Sequence, residues 1–121
     1  MTIPLLICDD SSMARKQVQR ALLESWDVSI TMVSNGVEAL EAIRAGKGEI
    51  VFLDLTMPSM DGYEVLEKIR KEGLNTVIIV ISGDVQPLAI KRVKNLGALE
   101  FIKKPIDQDK LLDVLKSYGL L

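Results

Sequence analysis

The sequence predicts an α/β protein: five β-strands in one open, doubly wound parallel sheet, each strand followed by a helix. Three observations carry this. Apolar runs of five to seven residues alternate with segments of helical period five times along 121 residues. Three of those runs are nearly continuous, as expected for strands buried on both faces. Short strand–helix connections imply right-handed crossovers and a parallel sheet, and five units are too few for a closed barrel.

The elements follow in order. The strands are "PLLIC" (4–8), "SITMVS" (29–34), "EIVFL" (49–53), "TVIIVIS" (76–82) and "LEFIK" (99–103). Helix 1 begins near Ser11, with Asp10 as the other candidate start, and is expected to bury Ala14, Val18, Ala21 and Leu22. Helix 2 has Asn35 at its N-cap and Glu38 three residues on, a capping-box pattern. Helix 3 starts after Asp61, buries Val65, Leu66 and Ile69, and stops at Gly73. Helix 4 spans about 86–96, with Pro87 accommodated in its first turn. Helix 5 follows Asp107 and carries Leu111, Leu112, Leu115 and Tyr118 on its buried stripe. No linker or repeat interrupts the pattern, so residues 1–121 read as one domain.

Composition narrows the function. The chain is 48% apolar with a net charge of −2, so it is not built to coat nucleic acid or a membrane surface. It has one cysteine, Cys8, inside an apolar run, which excludes a disulfide framework and fits a reducing, cytoplasmic setting. It has no histidine, which removes Ser–His and Cys–His catalysis and the usual zinc sites. No apolar run is long enough to span a bilayer.

Ligands of open α/β sheets sit beyond the carboxyl ends of the strands. Strand 1 ends in Asp9 and Asp10, strand 3 in Asp54, strand 4 in Ser82, and strand 5 in Lys103 and Lys104. With strands 1 and 3 adjacent, the three aspartates converge, and such a cluster calls for a compensating cation. An all-oxygen donor set favours Mg²⁺ or Mn²⁺. Acid cluster, cation, lysine and hydroxyl together make a phosphoryl-transfer site with Asp54 as nucleophile. Arg15, Lys16 and Arg20 read as a solvated face of helix 1.

The segments "CDDSSMAR", "VFLDLTMPSMDGYEVL", "VIIVISGD" and "GALEFIKKP", in this order and spacing, resemble the receiver domain of two-component response regulators, chemotaxis-type and single-domain-like. The resemblance covers essentially the whole chain. It implies a flavodoxin-like fold with strand order 2-1-3-4-5. Asp54 resembles the phospho-acceptor, and Asp10 the direct Mg²⁺ ligand, with Asp9 acting through water and the Thr56 backbone carbonyl completing the set. Ser82 resembles the switch hydroxyl, Lys104 the lysine paired with the phosphoryl group and Phe101 the switch aromatic, while Pro105 is expected to follow a cis bond.

The partners so implied are a histidine kinase or phosphotransfer protein and a downstream protein or fused effector domain, contacted by helix 4, strand 5 and helix 5. The domain itself is expected to bind neither nucleic acid nor membrane, and to be a monomer or weak dimer. It is expected to catalyse only its own phosphoryl uptake and loss. A metal-dependent aspartyl-phosphate phosphohydrolase is the alternative. Those enzymes resemble "FLDLT" but typically carry a second aspartate where this chain has Thr56.

Overall fold

The computed structural model describes residues 2–121. Five strands, β1 (Ile3–Cys8), β2 (Val28–Val33), β3 (Ile50–Leu53), β4 (Val77–Ser82) and β5 (Glu100–Lys103), form one parallel sheet in the order β2-β1-β3-β4-β5. The helices between them are α1 (Ser12–Ala21), α2 (Gly36–Arg44), α3 (Gly62–Glu72), α4 (Pro87–Asn95) and α5 (Gln108–Ser117). The expected alternation and strand order are therefore the observed ones.

Strand side chains alternate between the two faces of the sheet. Leu6, Cys8, Val51, Leu53, Ile78 and Val80 pack with Leu40, Ile43, Val65, Leu66, Ile69 and Val93, which come from α2, α3 and α4. Leu5, Ile7, Ile50, Phe52, Ile79, Ile81 and Ile102 pack with Val18, Leu22, Leu111 and Leu115, from α1, the residue after it, and α5. This division into two cores is why the β1, β3 and β4 sequences are apolar without alternation. Each fully buried Leu, Ile or Phe contributes about 1.5–3 kcal/mol of transfer free energy.

Side chains start four of the helices. Ser11, Asn35, Asp61 and Asp107 accept from the backbone N–H of Ala14, Glu38, Glu64 and Asp109 respectively. Ser11, not Asp10, is thus the cap of α1. The expected capping box at α2 differs in detail. Glu38 accepts from the Asn35 side-chain amide at 2.7 Å and from the Ser34 hydroxyl at 3.1 Å, rather than from the Asn35 backbone. Gln86 makes no side-chain cap, so α4 begins on the fixed φ of Pro87 alone.

Two expectations about burial need correction. Tyr118 does not continue the buried stripe of α5. The helix ends at Ser117, and Tyr118 is 43% exposed in the turn that follows, so the helical period no longer governs it. Its hydroxyl meets Glu100 Oε2 at 3.1 Å. Ala14 and Leu112 are half-buried rather than core. Some strand bounds shift by one residue: β2 is Val28–Val33, leaving Ser34 outside, and β5 begins at Glu100 rather than Leu99, ending at Lys103 as expected.

Candidate functional site

Parallel register brings the strand ends together. Cys8 lies opposite Leu53, so the next residues, Asp9 and Asp54, leave the sheet side by side. Hydrogen bonds extend the ladder past the last pair: Asp54 N–H donates to Cys8 O at 2.9 Å, and Asp9 N–H donates to Val33 O at 3.2 Å. On the other flank Ser82 lies opposite Lys103, and Lys104 N–H donates to Ser82 O at 2.9 Å. The two carboxylates are thus carried by the most buried part of the molecule. Asp9 and Asp54 are themselves buried.

Carboxylate oxygens of Asp9, Asp10 and Asp54 lie within 4.8 Å of one another. Lys104 reaches into the group: its ammonium donates to Asp9 Oδ2 at 2.7 Å and lies 3.4 Å from Asp54 Oδ1. Burial pushes the Asp54 carboxyl above the ordinary carboxylate range, and the Asp9 charge pushes it further. Lys104 and the Leu55 backbone N–H oppose this without cancelling it. Burial works against the Lys104 charge, but the hydrogen bond to Asp9 and the field of both aspartates outweigh it, so the ammonium is held above its usual range. Cys8, one residue before the cluster, is buried and has its thiol pushed up by burial and then by Asp9. It serves as core.

The other expected residues take different positions. Ser82 is buried, and its hydroxyl oxygen accepts from the Asp84 N–H at 3.1 Å. Thr56 is exposed just past Asp54. Phe101 is half-buried and packs at the margin of the core on the α2–α4 face. The Lys104–Pro105 peptide bond is cis. The loop after Asp54 returns at Gly62, whose N–H donates to Leu55 O at 2.9 Å. A Cβ at Gly62 would stand 2.5 Å from Asp54 O and 2.8 Å from the Leu55 Cα, so only glycine permits this approach.

Arg15 corrects the reading of α1 as a solvated face. Lys16 and Arg20 are exposed, but Arg15 is half-buried and Nη1 donates to the Asp9 carbonyl at 2.7 Å. A guanidinium bonded to a backbone carbonyl leaves no side-chain pattern, so nothing in the sequence singled it out.

The donor set suits a hard divalent ion. It is all oxygen, two of its carboxylates are buried, and one, Asp54, is held above its ordinary range by burial first and by the Asp9 charge second. A model describing the response regulator receiver domain matches residues 5–116. The chain belongs to that family. As a receiver domain it is a phospho-accepting signalling module, and the phosphohydrolase reading is not favoured. It is 36% identical over 116 residues to a chemotaxis protein CheY of Treponema pallidum, covering 93% of this chain and 80% of that protein. It is 33% identical to CheY of Listeria monocytogenes, covering 94% and 96%. Other relatives are far longer: the chain spans only 16% of the sensory/regulatory protein RpfC of Xanthomonas campestris, at 35% identity. Among solved structures, CheY of Borrelia burgdorferi, in a complex with CheX, BeF₃ and Mg²⁺, matches with a TM-score of 0.85 and 33% identity. That match covers 94% of this chain and 87% of the other. Among the described residues, no helix is long and apolar enough to cross a membrane.

Proposed function

We propose that this receiver domain takes up a phosphoryl group on Asp54, from a histidine kinase, a phosphotransfer protein or a small acyl phosphate. The observation that carries this is the convergence of Asp54 with Asp9, Asp10 and Lys104 at one end of the sheet. An Asp54 carboxylate oxygen forms the new P–O bond as the donor's P–N or P–O bond breaks, and the electron pair leaves with the donor. Lys104, already 3.4 Å from Asp54 Oδ1, faces the negative charge that the transferred oxygens bring.

Asp10 and Asp54, with the Thr56 carbonyl and with Asp9 through water, would hold Mg²⁺ or Mn²⁺. That ion supplies charge neutralisation and Lewis acidity to the transferring oxygens. Ser82, whose hydroxyl oxygen accepts from the Asp84 N–H, then moves to donate its O–H to a phosphoryl oxygen, and Phe101 turns inward behind it. The surface of α4, β5 and α5 thereby changes for a downstream protein or a fused effector.

The test is incubation with acetyl phosphate and Mg²⁺, followed by intact mass. The expected product is a single acid-stable, base-labile phosphoryl adduct that is missing from Asp54→Asn. Wild-type protein that never acquires the adduct, from acetyl phosphate or from a kinase, would sink the proposal. Multiple turnovers on small phosphate esters would point to hydrolysis instead.

A further inference from the structure

We infer that Arg15 is a positioning residue for the acidic turn, fixing the direction of Asp10 toward the metal that the proposed function requires. The inference rests on that reading of the site and concerns a residue to which it assigns no part.

Every polar group of Asp9 is engaged. Its N–H donates to Val33 O, its Oδ1 accepts from Ser11 N–H at 3.0 Å, its Oδ2 accepts from Lys104, and its carbonyl accepts from Arg15 at 2.7 Å. Asp10 is the opposite case. It is exposed, and among the described residues its carboxylate makes no hydrogen bond or ion pair. Its direction is therefore set by the peptides on either side. The following peptide is held by the Ser11 N–H bond to Asp9. The preceding one is held through the Asp9 carbonyl, which lies just past the end of β1 and beyond the last β1–β2 pair, Cys8 with Val33, where the strand ladder supplies no further donor. Arg15, from the first turns of α1, is that donor. Without it the Asp9–Asp10 peptide is free to rotate, and the Asp10 carboxylate leaves its place beside Asp54.

Charge and position predict opposite signs here. Removing a cation from beside an acidic cluster tightens divalent-ion binding by simple Coulomb attraction. Removing a tie that orients a ligand weakens it, commonly about tenfold or more.

The experiment is calorimetric titration of the full chain with MgCl₂, with metal-free thermal melts in parallel. The proteins are wild type, Arg15→Ala, Arg15→Lys and Lys16→Ala. The expected result is about tenfold weaker Mg²⁺ binding in Arg15→Ala, part of it restored in Arg15→Lys, and unchanged or tighter binding in Lys16→Ala. Metal-free melting temperatures should stay close together. Arg15→Ala binding as tightly as wild type overturns the inference. So does equal weakening in Lys16→Ala, or a collapse of the metal-free melt that makes the loss one of folding. Wild-type protein that binds no Mg²⁺ is a separate outcome: it overturns the functional reading first and the role of Arg15 with it.

Discussion

Lys104 and Asp9, 95 residues apart in sequence, are joined by a hydrogen-bonded ion pair of 2.7 Å, with the Asp9 side chain only 6% exposed. The same ammonium faces Asp54. Lys104→Met removes the cation that, among the described residues, is ion-paired with both buried carboxylates. In metal-free buffer at neutral pH the variant should lose about 1–3 kcal/mol, short of the full cost of breaking a buried pair because Lys104 is partly exposed. Urea denaturation measures this. An unchanged midpoint would show that solvent already compensates the aspartates.

Asp54 gives the metal-free protein a pH dependence of definite sign. Its folded-state carboxyl lies above the unfolded value, by burial first and the Asp9 charge second. The stability associated with its proton is therefore fully present below the unfolded pKa of about 4. It is lost as pH rises through the folded value. Asp54→Asn removes the ionising group, so it should melt a few degrees higher than wild type at pH 7. That advantage should shrink as pH falls toward 4. A difference that stays constant across this range would place its origin elsewhere.

Mg²⁺ acts on the same repulsion from the other side. At a hundred times its dissociation constant, a ligand bound only by the folded state adds about 2.7 kcal/mol. Thermal melts with and without MgCl₂ should show the gain in wild type and a smaller gain in Asp10→Asn, whose side chain has lost its charge. Identical melting curves with saturating Mg²⁺ would argue against an ion at this cluster.

Gly62→Ala tests how closely α3 must approach the acceptor loop. The added methyl meets Asp54 O and the Leu55 Cα, both backbone, so neither can turn aside. A destabilisation of about 1–3 kcal/mol is expected from such overpacking. In the fraction that remains folded, phosphorylation by acetyl phosphate should also slow, because the shift falls on the Asp54 peptide. A variant with wild-type stability and rate would mean that the loop opens without cost.

The fold was legible because it is written in local signals. Continuous apolar runs marked β1, β3 and β4, and Ser11, Asn35, Asp61 and Asp107 marked helix starts one by one. The convergence of Asp9, Asp10 and Asp54 was legible too, since strand ends of a parallel sheet share one side. What escaped were contacts that no periodicity records. Arg15 reaches a backbone carbonyl, and Tyr118 falls just after its helix has ended, where phase along the axis loses meaning. The tie among Lys94, Glu100 and Tyr118, from α4, β5 and the turn after α5, depends on side-chain reach across three elements.

The acid cluster, Lys104 and Ser82 all sit at one rim of the sheet, on the last residues of β1, β3, β4 and β5 or just beyond them. The outward flanks of the five helices hold none of these groups. Substitutions there leave these groups in place. On the function proposed above, the surface that a partner reads can therefore change while the reacting groups stay the same.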